Sequence, residues 1–268
     1  MSRTNGLSAK QSPEKVRDFL GAASGLSGVA GPNIMIIIFD LDGTLINTIS
    51  DLGQACNYAL SACGFPTHKI EDYPRLVGNG VNKLIERALP EQHRNEETVL
   101  RLREYFVPYY DEHNCDFTRP YDGIPELLHT LKEQGHLLAV ASNKYQAATE
   151  KIVAQLFPGI FDVVLGERVG VERKPNPQIV YDIFSTLNTK HSTLNCLYIG
   201  DSLVDAETAR AAGTTLVLCT WGFGTREQME GAKPDYLVDH PLEVLKVVEG
   251  LGLRVESLGV RVEGLRYR

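Results

Sequence analysis

The sequence predicts an α/β fold, a doubly wound and mainly parallel sheet interrupted by a small all-helical insertion. Three observations lead there. Apolar runs at 34–39, 137–141, 163–165, 196–199 and 216–219 are continuous rather than alternating, as expected of strands buried on both faces of a parallel sheet. Helical stretches separate the later runs: "IPELLHTLKEQG", "KPNPQIVYDIFSTLN" and "SLVDAETARAAG", with Gly135 and Gly213 as stop signals. The block between 50 and 117 instead reads as helix after helix, with no convincing strand between them.

In chain order, residues 1–33 contain "GAASGLSGVAGPN" and read as an extension with one short helix near Pro13–Leu20, then a flexible linker. The first strand opens a core made of 34–49 and 118–250. "SDLGQACNYALSAC", "GVNKLIERALP" and "EETVLRLREYFVPYYDEH" supply the insertion over 50–117, which suits a lid. Residues 251–268, rich in Arg and Glu, read as a peripheral tail.

At 268 residues the chain has ample material for a core. A net charge of −7 with mixed signs argues against nucleic acid or an anionic membrane as the main partner, since both reward clustered Lys and Arg. No run approaches the roughly 20 apolar residues needed to span a bilayer, and no signal-peptide pattern opens the chain. Five cysteines, at 56, 63, 115, 196 and 219, show no metal spacing and read as free thiols in a reducing cytoplasm. A monomer or homodimer is expected.

Ligands of open α/β sheets bind beyond the carboxyl ends of the strands. The first strand ends on Asp40, with Asp42 two residues on. The second ends on Ser142 and Asn143, and the fourth on Asp201, with Asp205 one helical turn later. Lys174 lies on the loop after the third. Several carboxylates, a Lys and a hydroxyl suit a phosphoryl group and a hard divalent cation, above all Mg²⁺. Two like charges 4 Å apart repel by about 4 kcal/mol at an effective dielectric near 20, so a carboxylate approaching a phosphate needs such a cation.

The DxDGT stretch, the Ser-Asn pair, the Lys and the GDxxxD segment, in this order, resemble the haloacid dehalogenase superfamily from about Ile36 to Val248. Within it, "FDLDGTLINT", "LVGNGVNKLIERAL", "PYDGIPELL", "ASNK" and "GDSLVDAETARAAG" look most like the phosphoglycolate phosphatases. The resemblance implies that Asp40 is the nucleophile, forming an aspartyl-phosphate. Asp42 is then the general acid and later the base. Residues i and i+2 of an extended segment share a face, so both acids can meet one substrate. Thr44, Ser142 and Asn143 would contact the phosphoryl group, and Lys174 would neutralise it. Asp40, the carbonyl of Asp42, Asp201 and Asp205 would hold Mg²⁺. Gly78, Asn79 and Gly80, before a helix of the insertion, would cradle the substrate's carboxylate, although the same glycines also fit plain turn chemistry.

An acid at position 42 favours ester cleavage over halide displacement, which needs no proton. The implied reaction is Mg²⁺-dependent hydrolysis of a small phosphate monoester, 2-phosphoglycolate first. Alternatives are another small phosphate (sugar phosphate, nucleotide or pyrophosphate) and a β-phosphoglucomutase-like mutase. A phosphorylation-dependent receiver domain fits poorly, because the order of its acids differs and it carries no helical insertion. Arg75 and Lys83 read as surface charges, Trp221 as packing beneath the loop after the fifth strand, and Tyr109 and Tyr110 as a helix face. The seven histidines receive no role.

Overall fold

The computed structural model describes residues 34–188 and 195–257. The expected linker at 1–33, its short helix, and tail residues 258–268 lie outside the described residues. Six strands form one sheet in the order β5-β4-β1-β6-β7-β8. They are β1 (Ile36–Phe39), β4 (Leu137–Tyr145), β5 (Val163–Glu167), β6 (Cys196–Gly200), β7 (Thr215–Cys219) and β8 (Tyr236–Val238). Every pairing is parallel. The five predicted apolar runs are all strands. The sixth, β8, was not predicted, because three residues after "KPD" carry too little periodicity to read.

Strand alternation divides the core into two layers. Ile37 and Phe39 face the helices α4 (Ile124–Glu133), α5 (Gln146–Leu156) and α9 (Glu243–Ser257). Ile36 and Ile38 face α6 (Gln178–Thr186), α7 (Leu203–Ala212) and α8 (Arg226–Gly231). Ile37, Ile38 and Phe39 are fully buried, each stabilising the fold by roughly 1.5–3 kcal/mol. The expected tail boundary at 251 falls inside α9, where Leu251 still packs on the core. The charged residues around it masked the continuing helix.

β1 sits centrally, with Phe39 level with Val140 of β4 and Ile199 of β6. Successive connections leave β1 to opposite sides, so a crevice opens at its carboxyl end. That register sets the ends of three strands side by side.

The helical insertion has its own apolar cluster. It comprises α1 (Ile49–Ala62), α2 (Val81–Ala88) and α3 (Glu96–His113), with two short 3₁₀ turns. Leu52, Cys56, Ala59 and Leu60 of α1 meet Val99, Leu102, Phe106 and Tyr110 of α3 at helical spacing. Asn95 caps α3 by accepting the Thr98 N–H at 2.9 Å. The chain crosses between core and insertion through two short strands, β2 (Ile46–Asn47) and β3 (Arg119–Pro120), which pair antiparallel. Buried Asp51 accepts the backbone N–H groups of Phe117 and Thr118 and the Thr118 hydroxyl, at 2.7 to 3.2 Å.

Candidate active site

A cavity of about 710 Å³ lies between the strand ends and the insertion, with Asp40, Asp42, Ser142, Lys174 and Asp201 on its core side. Asp40 follows β1 directly. Its Oδ1 accepts the Leu41 N–H at 2.7 Å and the Lys174 ammonium at 2.9 Å, which leaves Oδ2 outside both bonds. Lys174 is buried. Its Nζ also donates to Asp205 Oδ1 at 2.8 Å and to the Ala141 carbonyl at 2.9 Å. Asp205 further accepts from the hydroxyls of Tyr198 and Ser202.

Asp201, at the end of β6, is gripped by loops on either side. Thr44 donates its hydroxyl at 3.0 Å, and the Phe223 N–H donates at 2.7 Å. Both contacts need glycine. A Cβ on Gly43, whose φ is 88°, would lie 2.3 Å from Asp201 Oδ2, and one on Gly222 would lie 2.3 Å from Asp201 Cβ. The loop 220–224 after β7 is therefore part of the site. Its Trp221 packs beneath, donating to the Thr44 carbonyl at 3.0 Å.

The structure gives two of the predicted phosphate contacts other tasks. Thr44 is fully buried with its hydroxyl on Asp201. Asn143 holds the Lys174 backbone from both sides, accepting its N–H at 2.9 Å and donating to its carbonyl at 3.1 Å. Ser142 does line the cavity. Its Oγ accepts the Lys144 N–H, so its own proton stays available.

One ligand atom each from Asp40, Asp201 and Asp205 lies within 4.8 Å of the others. Burial and the Asp205 carboxylate push Asp40 well above the usual carboxylate range, against the pull of Lys174. Burial and Asp205 likewise raise Asp201 to about 7, despite the bonds from Phe223 and Thr44. Burial alone would lower the Lys174 ammonium, yet Asp205 and Asp40 hold it well above its ordinary value. Lys174 is charged and the acids around it are short of positive partners.

Asp42 stands apart from that cluster. Its Oδ2 pairs with the Lys144 ammonium at 2.9 Å. Lys144, the last residue of "ASNK", was not singled out from the sequence, although a Lys beside a strand end that already carries two polar candidates is a usable signal. Four carboxyl groups therefore face two ammoniums, so that once all four ionise two negative charges have no ammonium to match them. A buried excess of that size matches one hard divalent cation, and an all-oxygen donor set suits Mg²⁺. The residues fit such an ion.

Gly78, Asn79 and Gly80 line the opposite side of the cavity, all with positive φ. Arg87 shapes this loop by donating to the carbonyls of Leu76, Val77 and Gly78, and Arg173 from the core donates to the carbonyl of Asn79. Arg75 pairs with Asp72 and Lys83 with Glu86, both exposed, as surface charges would. Arg75 nevertheless reaches the cavity lining.

The sequence profile of haloacid dehalogenase-like hydrolases matches residues 37–219. A phosphoglycolate phosphatase of Aquifex aeolicus (strain VF5) is 32% identical over 215 residues, covering 80% of this chain and 96% of that protein. The phosphoglycolate phosphatase of Mannheimia succiniciproducens is 34% identical over 220 residues, with 80% and 97% coverage. Among solved structures, a predicted phosphoglycolate phosphatase from Haemophilus somnus 129pt superposes with TM-score 0.74 at 30% identity, covering 80% of this chain and 98% of that one. CbbY from Rhodobacter sphaeroides in complex with phosphate reaches 0.63 at 25% identity, with 79% and 96% coverage.

Proposed function

The chain belongs to the haloacid dehalogenase-like hydrolases and is a phosphatase, and on that premise we propose that it hydrolyses 2-phosphoglycolate with Mg²⁺ through an aspartyl-phosphate on Asp40. The observation that carries the reading is the arrangement at the strand ends. A carboxylate sits beside two further acids and a buried ammonium, with a second acid held separately two residues away.

Asp40, Asp201 and Asp205, with the backbone carbonyl of Asp42, would hold the metal. When bound, Mg²⁺ supplies positive charge that lets a carboxylate meet a phosphate dianion and that stabilises the developing charge. Asp40 attacks phosphorus with the oxygen that Lys174 and Leu41 leave free. The phosphorus–oxygen ester bond breaks, and Asp42 gives its proton to the departing alkoxide. Asp42 then takes a proton from water as that water attacks the phosphoenzyme, and phosphate leaves with Asp40 restored. Ser142 donates to the phosphoryl oxygens, and Lys174 neutralises them.

The insertion acts as a cap over 50–117. The N–H groups at Gly78-Asn79-Gly80 open α2, whose N-cap Gly80 offers no side-chain cap, and they receive the substrate's carboxylate. Cap closure keeps bulk water away from the site while Asp40 attacks. The five free cysteines suit a reducing cytoplasm.

A second reading rests on the cavity, which at about 710 Å³ is larger than a two-carbon phosphate fills. A CbbY mutant was solved with xylulose-(1,5)bisphosphate, at 26% identity to this chain. A sugar phosphate, hydrolysed or isomerised, is the rival substrate class. The test is a phosphate-release screen with and without Mg²⁺ across phosphoglycolate, sugar phosphates, nucleotides and pyrophosphate. Selective release from phosphoglycolate supports the proposal. A flat profile removes that substrate, and isomerised sugar without released phosphate points to the mutase.

A further inference from the structure

Lys144 is a buried cation that the hydrolytic scheme above does not use. Its side chain is 4% exposed, and it stands where core and insertion meet. The backbone places it there. β4 shifts register between Ala141 and Tyr145, which carries residues 142–144 out of the regular ladder and over the strand ends. The Lys144 N–H donates to Ser142 Oγ at 3.2 Å, and its carbonyl accepts the Thr149 hydroxyl at 3.1 Å. The residue is pinned in the core from both sides.

Its ammonium has two partners from different parts of the molecule. One is Asp42 Oδ2 at 2.9 Å. The other is the hydroxyl of Tyr110 at 2.9 Å, on α3 of the insertion and fully buried, with the ammonium 4.8 Å from the centre of that ring. An ammonium without partners would lose several kcal/mol of hydration on burial there, so it keeps both. Asp42 is consequently held by one oxygen only. Its Oδ1 is buried with no hydrogen-bond partner, on a side chain that lines the cavity.

We propose that Lys144 and Tyr110 form a positioning relay through which the seated insertion fixes the carboxyl of Asp42. The proposal rests on Asp42 being the proton donor. Neither Lys144 nor Tyr110 exchanges a proton with substrate. Lys144 clamps Oδ2, and Tyr110 holds Lys144 only when α3 is in place. Proton delivery is thereby tied to the presence of the cap, while the grip of Lys174 on Asp40 is not.

A buried ion pair that merely stabilised the fold would affect all substrates alike. A relay for the proton donor would not, because a nitrophenolate leaves without a proton and an alkoxide does not. The experiment measures kcat/KM, which reports the first chemical step, for 4-nitrophenyl phosphate and for the alkyl monophosphate that the wild type hydrolyses fastest. The variants are Tyr110→Phe, Lys144→Met, Lys144→Arg, the Tyr110→Phe/Lys144→Met pair and Asp42→Asn, each with its melting temperature. Tyr110→Phe removes one oxygen and leaves the ring packing, so it keeps the test open if Lys144→Met folds poorly.

Lys144→Met is expected to lower the alkyl ester's kcat/KM by about 10²-fold and the nitrophenyl ester's by less than about threefold. Tyr110→Phe should show the same selectivity at about tenfold, Lys144→Arg should restore part of the loss, and the double variant should be no worse than Lys144→Met alone. Equal losses on both esters, no loss, or losses that multiply in the double variant overturn the relay. If Asp42→Asn itself shows no preference between the esters, the acid assignment fails first, and that outcome is distinct from selectivity in Asp42→Asn alone.

Discussion

Two buried lysines, thirty residues apart in sequence, face two aspartates that are nearest neighbours but one, and they are anchored differently. Lys174 meets Asp40, Asp205 and the Ala141 carbonyl, all in the sheet core. Lys144 meets Asp42 from the core and Tyr110 from the insertion. Asp40, the proposed nucleophile, is thus held by the scaffold that every strand supports, and Asp42, the proposed proton donor, is held jointly by the scaffold and the insertion. Charge stabilisation is built into the rigid part, where positioning is most accurate. On the proposed mechanism, leaving-group activation is shared with the insertion.

Replacing the proposed nucleophile is the strongest way to test the core side. Asp40→Asn should reduce steady-state phosphate release by more than about 10³-fold for every ester, with the fold retained. Residual turnover near wild type would move the nucleophile elsewhere. Lys174→Met should lower kcat by about 10²- to 10³-fold without regard to leaving group, in contrast to the selectivity expected at Lys144. It should also destabilise the chain by about 3–5 kcal/mol, because Asp40 and Asp205 lose their buried partner. A leaving-group-dependent loss at Lys174 would erase the distinction between the two lysines.

Asn143→Ala sharpens the comparison from further out. It removes the two-way clamp on the Lys174 backbone, and about a tenfold fall in kcat is expected, the same for both ester types.

The acids give a pH signature of their own. Asp201 sits at about 7 in the folded chain and Asp40 is also raised, whereas both ordinary values are 3.8. The folded state therefore binds these protons more tightly than the unfolded one. Their favourable contribution is complete below the ordinary value and is lost as pH rises through the folded value. Mg²⁺ held by these acids would offset the repulsion that appears above it, so the cation should raise the melting temperature more at about pH 8 than at about pH 5. Equal shifts at the two pH values would show the ion binding somewhere other than these acids. The smallest catalytic effect belongs to Asp51→Asn, expected to cost about 1–3 kcal/mol in stability while leaving the ratio of alkyl to aryl kcat/KM unchanged.

The sequence made the two halves of the site unequally readable. Asp40, Asp42, Ser142, Asp201 and Asp205 follow continuous apolar strands, and a parallel sheet gathers strand ends by its own geometry, so their meeting could be anticipated from run lengths alone. Lys174 lies on a loop, and its motif pointed to it. Thr44 and Asn143 were expected on the phosphoryl group, but their bonding depends on where neighbouring loops fold. Thr44 turns to Asp201 and Asn143 turns to the Lys174 backbone. The Lys144–Tyr110 contact joins residues 34 apart, one from the sheet and one from the insertion, and no local period encodes such a meeting. Strand β8 and the paired crossings β2 and β3 escaped for a simpler reason, since two or three residues cannot display a pattern.

The paired crossings have a further consequence. Ile46 faces Pro120 and Asn47 faces Arg119, so the outgoing and returning chain run side by side, and Asp51 ties the start of α1 to residues 117 and 118. A body hung from two separated tethers can slide, tilt and twist. One hung from two strands bonded edge to edge is left with rotation about a single line. Rotation about that line carries Gly78-Asn79-Gly80 and Tyr110 together, so the loop facing the cavity and the hydroxyl on Lys144 move as parts of one body.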